Sequence, residues 1–174
     1  MIFLMKRMLI CLLLLALMIP CVQAEQVVSN NLAAIRINEF MASNGDTLEC
    51  ASGESPDWIE LFNTSDQDVN IAGLCISDGK KVLDKFVFPE VIIPAKGYLV
   101  VFASGFAGGA EDEIHLPFKL SADGERVVLS YDGVILDIVS FDAQEKDVSM
   151  VRHDDRSWRF SHAPTPGAAN EFDE

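Results

Sequence analysis

From Ile35 onward no segment of the chain sustains a helical period; short apolar stretches recur instead, each closed off by turn-forming residues. The stretches Ile35 to Met41, Trp58 to Asn63, Ile71 to Ser77, Leu83 to Phe88, Tyr98 to Ala103 and Leu116 to Leu120 are rich in Val, Ile and Phe. So are Arg126 to Ser130, Val134 to Phe141, Val148 to Arg152 and Trp158 to Phe160. Such side chains suit a pleated, half-buried surface. Between them, Asn44-Gly45-Asp46, Ser77-Asp78-Gly79, Ala122-Asp123-Gly124 and Tyr131-Asp132-Gly133 carry residues that tolerate positive φ or bond their own backbone. Short strands with turns at close intervals and no intervening helices predict an all-β fold, an antiparallel β-sandwich.

Asp132-Gly133 suits a type I′ turn, so Val127 to Leu129 is expected to pair with Ile135 to Ile138. Tyr98-Leu99-Val100-Val101-Phe102 is apolar on both faces, as a central strand is. Pro117 cannot donate to a ladder, which puts its strand at an edge. Pro164 to Gly167 reads as extended or turn-like and closes the domain, and Glu171 to Glu174 reads as an acidic tail.

Ahead of this region, Lys6 and Arg7 precede an apolar run from Met8 to Ile19, ended by Pro20. Val22-Gln23-Ala24 places small residues where signal peptidase needs them, so residues 1–24 read as a secretory signal and 25–33 as a short polar lead. The run is short for a bilayer span, so no membrane span is expected after cleavage. The expected location is outside the cytoplasm: periplasmic, cell-surface or extracellular. Cys50 and Cys75 then remain in an oxidising compartment, where they can form one disulfide. The other reading keeps both as thiols, Cys75 buried as a small hydrophobe and Cys50 in a polar loop. Neither is expected to have a metal-site companion: there is no C-x-x-C, and two thiolates with scattered histidines fall short of a zinc constellation.

The formal net charge of -14 becomes -16 without Lys6 and Arg7. A surface so acidic repels phosphate backbones, and nucleic acid is not an expected partner. Arg152, Arg156 and Arg159, with His153 and Trp158, form the one basic stretch; Asp154 and Asp155 within it predict internal ion pairs. Catalysis is not expected. His115, His153 and His162 read as surface or edge residues, and there is no G-x-S-x-G, H-E-x-x-H or glycine-rich phosphate loop. No cofactor is expected apart from calcium, for which Asp46, Glu49, Glu54 and Asp57, or Glu111, Asp112 and Glu113, are the candidate oxygen ligands.

In Asp57 to Asn63, alternation puts Ile59, Leu61 and Asn63 on one face and Trp58, Glu60 and Phe62 on the other. A covered Glu60 must find a donor, because a buried unpaired carboxylate is costly. Asn38 and Asn63 read as turn and strand-end caps.

A series of elements at fixed offsets runs along this chain. Ile37-Asn38-Glu39-Phe40-Met41-Ala42-Ser43-Asn44 is followed by Asp57-Trp58-Ile59-Glu60-Leu61-Phe62-Asn63 and by Ile71-Ala72-Gly73-Leu74-Cys75-Ile76-Ser77-Asp78. Then come Ile93-Pro94-Ala95-Lys96-Gly97-Tyr98, Phe118-Lys119-Leu120-Ser121-Ala122-Asp123-Gly124 and Pro164-Thr165-Pro166-Gly167-Ala168-Ala169-Asn170. In this order the chain resembles the lamin tail domain family, in its secreted, single-domain bacterial form, from about Ile35 to Asn170. The resemblance implies an immunoglobulin-like sandwich over 34–170, with Asn38, Glu39, Asp57, Trp58, Glu60, Gly73, Asp78, Gly124, Pro166, Gly167 and Asn170 as structural motif residues.

Members often have a denser acidic loop than Glu49 to Glu54 and an aromatic where this chain has Leu74. A shared loop metal site is therefore not carried over. The family's association with chromatin is not carried over either, given the charge. The expected function is that of a secreted, non-enzymatic binding or adhesion module for a protein or glycan at the cell envelope, engaged through end loops such as Asn44 to Pro56 and Ser104 to His115 or through an edge strand. The alternative is a calcium-stabilised structural component of an extracellular assembly.

Overall fold

The computed structural model describes residues 31–109 and 112–172. The proposed signal, most of the lead, Glu111 and the last two tail residues lie outside the described residues.

Two antiparallel sheets face each other. The larger contains β1 (Ile35–Met41), β2 (Asp57–Asn63), β7 (Tyr98–Ala103), β10 (Ser149–Arg152) and β11 (Trp158–Ser161), in the order β11-β10-β1-β2-β7. The smaller contains β4 (Cys75–Ser77), β5 (Phe86–Val87), β8 (Glu125–Tyr131) and β9 (Val134–Phe141), in the order β5-β4-β8-β9. A further short pair joins β3 (Val69–Asn70) to β6 (Ile92–Ile93). Ile35, Ile37, Phe40, Ile59, Leu61 and Val101 of the larger sheet share one buried core with Ile76, Val127, Leu129 and Val139 of the smaller. This is the antiparallel β-sandwich that the residue pattern predicts, and it agrees with the immunoglobulin-like fold that the resemblance implies.

Simple alternation along β1 would send Ile35, Ile37, Glu39 and Met41 to the same face, driving a carboxylate into the core. A bulge between Ile37 and Glu39 prevents this: Ile37 pairs with Leu61 and Glu39 with Glu60, so Asn38 is the extra residue. Phe40 then returns to the core opposite Ile59. Asn38 is therefore a mid-strand bulge residue and not a turn cap. Asn63 does cap a strand end, donating to Gln67 O at 2.7 Å and Ile93 O at 3.1 Å and accepting from Ser65 N.

Several expectations need correction. Leu32, in the polar lead, is fully buried in the core above a turn closed by Ala34 N donating to Asn31 O. The Tyr98–Ala103 strand is an edge strand, paired through its length with β2 alone. Its apolar residues are needed on both faces because Leu99, Val101 and Ala103 touch the main core while Val100 and Phe102 join a second apolar cluster outside the sheet. Leu116 to Leu120 forms no strand; only His115 bridges, to Phe102 and Gly108. The 132–133 hairpin forms with positive φ at both turn residues, 48° and 73°. Its register is offset from expectation, with Val127 to Leu129 opposite Asp137 to Val139 and a bulge after Leu129. The acidic tail is not detached either: the Phe172 ring lies 4.3 Å from that of His153.

Candidate functional site

The outer face of the larger sheet carries two buried carboxylates covered by the C-terminal segment. Glu39 accepts from Ser149 Oγ (2.5 Å), Thr165 Oγ1 (2.9 Å) and the Thr165 amide (3.2 Å). Glu60 accepts from Asn38 Nδ2 (2.8 Å) and from the Gly167 amide (2.5 Å). Asn170 completes the closure, its Oδ1 accepting from Asn38 Nδ2 (2.8 Å) and its Nδ2 donating to Arg152 O (2.8 Å). Pro166, which has no N–H, sits between the two residues whose amides are used. Ala168 N bonds Thr165 O at 3.0 Å across a turn with Gly167 at φ 83°, where Pro-Gly occupies the central positions that such a turn favours. Burial pushes the Glu60 carboxyl up to about 7 against the pull of Asn38 and Gly167; Glu39 is also raised, by burial, against Ser149 and Thr165. These motif residues hold the fold together, as the reading of a hydrogen-bonded Glu60 expects.

The remaining motif residues are also structural. Trp58 is fully buried in the outer cluster with Met41, Cys50 and Phe102. Asp78 pairs with Lys85, and Gly73 lies in the turn that ends with Leu74 N bonding Ile71 O. At Gly124 (φ 103°) an added Cβ would meet Phe141 O at 2.8 Å. Arg152 lies 2.7 Å from Asp137 on β9 and packs over Trp158, so only the Arg159–Asp155 and His153–Asp155 contacts are pairs within the basic stretch.

One end of the sandwich gathers the two longest connections, 42–56 and 104–124. In the first, Asn44 accepts from the amides of Thr47 and Leu48 and donates to Leu48 O and Pro56 O. Asp147 holds the same loop, accepting from Gly45 N (2.6 Å), Asp46 N and Thr47 Oγ1. The two connections touch directly: Ala51 N donates to Glu113 Oε1 at 2.7 Å. Beside this contact, Glu54 to Asp57, Ala103, Ser104 and Lys119 line a cleft of about 340 Å³.

Among the described residues, Asp46, Glu49, Glu54 and Asp57 do not form a cluster of metal-ligating atoms, and Glu111 of the second candidate set lies outside the described residues. Asp46, Glu49 and Glu54 are exposed, whereas Asp57 turns in to accept from Asn44 N, and its carboxyl is raised by burial. Among the described residues, the three metal-ligating side chains that do converge are Cys50, Glu113 and His115, with ligand atoms within 4.8 Å of one another. His115 is buried, not at the surface, with its ring between Phe106 (5.3 Å) and Phe102 (5.2 Å). Cys50 and Cys75 are both free thiols, with burial opposite to that expected: Cys50 is buried in the outer cluster and Cys75 is partly exposed on β4 of the other sheet. Sequence spacing shows Glu113 and His115 on one side of an extended segment. It could not show Cys50 as their companion, because the turn around Gly53 and a connection far along the chain bring it there.

The fold defines an immunoglobulin-like β-sandwich domain. The lamin tail domain family profile matches residues 29–143, and the chain belongs to that family. The match ends before β10, β11 and the Thr165–Asn170 closure, which complete the larger sheet. No curated protein matches the chain in sequence.

Proposed function

We infer that the chain is a secreted, non-catalytic binding module that recognises a protein or glycan at the cell envelope. The observation that carries this reading is the convergence of the 42–56 and 104–124 connections into one surface at one end of the sandwich, joined by the Ala51–Glu113 bond. Loops held at one end of a rigid sandwich are where such folds place recognition. Phe106, half-exposed in the same region, offers an apolar contact beside the cleft. The leader-like residues 1–24 support export, and the acidic balance argues against polyanionic ligands.

Affinity capture tests this. The immobilised protein is exposed to envelope extract, a glycan pool and a DNA pool in separate arms. One discrete protein or glycan should be retained, and retention should be lost when the 44–56 and 104–115 loops are exchanged for short turns. Retention by DNA, or retention indifferent to both loops, would contradict the reading.

A further inference from the structure

The geometry points to a divalent transition-metal site of the zinc type, made by Cys50 Sγ, His115 Nε2 and Glu113 Oε2, that ties the two end loops together. It stands on the side-chain geometry alone and does not depend on which partner the module binds.

The argument starts from the protons around His115. When Ser104 Oγ donates its hydrogen to Phe106 O (3.2 Å), its oxygen accepts from His115 Nδ1–H at 3.0 Å. In the neutral ring, Nε2 then carries only a lone pair. Glu113 Oε1 is occupied by the Ala51 amide (2.7 Å), which aims Oε2 at Nε2 from 3.3 Å. Two acceptors therefore face each other in a site where the imidazole is 3% and the carboxylate 20% exposed. In this tautomer a metal ion between them satisfies both, whereas in the other the pair is closed by an Nε2–H to Oε2 hydrogen bond.

The third group favours the metal. Cys50 Sγ joins the pair within 4.8 Å, and a thiol does nothing to stabilise an imidazolium–carboxylate pair but completes a sulfur, nitrogen and oxygen donor set. Zinc bonds of about 2.0–2.3 Å arranged as a tetrahedron place ligand atoms about 3.3–3.8 Å apart, and the Nε2–Oε2 edge already has that length. The ring proton held on Nδ1 by Ser104 is the outer-sphere bond that ligating imidazoles characteristically make, because it fixes the tautomer that presents Nε2 to the ion. Binding releases the Cys50 thiol proton to solvent, and a thiolate, a carboxylate and a dication sum to zero charge, which suits burial. Water fills the fourth position. Gly109 is part of the design: at φ 141° it lies against the imidazole, where a Cβ would meet Cδ2 at 2.4 Å.

The purified, reduced protein, stripped with chelator and then freed of it, is titrated with Zn²⁺ and separately with Co²⁺ as a spectroscopic probe. One equivalent of Zn²⁺ should bind, and Co²⁺ should give tetrahedral d–d bands together with a thiolate-to-cobalt charge-transfer band. Cys50→Ser should abolish the charge-transfer band, Glu113→Gln should weaken Zn²⁺ binding about tenfold or more, and Cys75→Ser should leave both unchanged. The Cys75→Ser and wild-type spectra need no change at the site, so they remain decisive if a site variant fails to fold. Absence of saturable binding, an octahedral spectrum without a thiolate band, or a band lost in Cys75→Ser would overturn the proposal, the first of these assigning the contact to a His115 Nε2–H to Glu113 Oε2 hydrogen bond.

Discussion

Glu39 on β1 stands directly opposite Glu60 on β2, and both carboxylates are fully buried. Like charges facing each other across a ladder are unfavourable, and burial adds to the cost of ionising either. The C-terminal segment resolves the conflict by bringing the Thr165 and Gly167 amides onto the pair. This contact ties the Asp57-Trp58-Ile59-Glu60-Leu61 strand to the terminal Pro164-Thr165-Pro166-Gly167 segment: one supplies an acid and the other its donors.

A pH dependence follows from Glu60. Its folded value of about 7 lies above the ordinary 4.5, chiefly through burial, so the folded state holds the proton more firmly. That contribution is intact below about pH 4.5 and is lost as pH rises to about 7, on the order of 3 kcal/mol. Glu39, raised in the same direction, adds to the trend. Thermal or urea melts of the wild type should show falling stability from pH 5 to pH 8, and Glu60→Gln should remove most of that slope. Equal slopes in the two proteins would contradict the assignment.

Gly167→Ala isolates the conformational demand of the closing turn. No heavy atom lies within 4 Å of the added Cβ, yet φ is 83°, so the cost should be about 1 kcal/mol from backbone strain alone. Urea denaturation reads this directly; an unchanged midpoint would mean that the Thr165–Ala168 turn is not held in this form.

Leu32→Ala should cost about 2–4 kcal/mol, as for other buried leucines, because its side chain fills the core beside Ile35 and Ile37. A loss below 0.5 kcal/mol, on the scale of about a surface substitution, would return the segment to the role of a polar lead.

Asp147→Asn should free the 45–47 loop without disturbing the core. The Gly45 amide, with Asp46 N and Thr47 behind it, holds the Asp147 carboxyl below the usual carboxylate range, so the loop is clamped above that range and released as pH falls through it. Amide exchange at Gly45 and Asp46 should quicken in the variant at neutral pH while exchange in β2 stays slow. Unchanged exchange at those two amides would contradict the clamp.

Much of the fold was legible because it rests on local rules. Asp132-Gly133 needs positive φ at two adjacent positions and so marks its hairpin, and alternation in β2 places Ile59 and Leu61 opposite Trp58 and Glu60, as found. What was not legible depends on distant partners. Tyr98 to Phe102 reads as a doubly covered central strand, but one cover is the outer cluster built from Cys50, Met41 and Trp58, which no local pattern announces. The Asn38 bulge is likewise fixed by the need to turn Glu39 toward Thr165, far along the chain. The Cys50–Glu113–His115 convergence was hidden for the same reason: Cys50 reads as a disulfide candidate, Glu113 as a calcium ligand and His115 as a surface residue, and only the docking of the two end loops brings them together.

The central claim, that these two loops form the recognition surface, is tested most directly by hydrogen-exchange mapping of the protein with and without its captured partner. The account predicts slowed exchange confined to residues 44–56 and 104–115. Protection centred on β8 and β9 or on the Thr165–Asn170 closure, with the end loops unaffected, would contradict it.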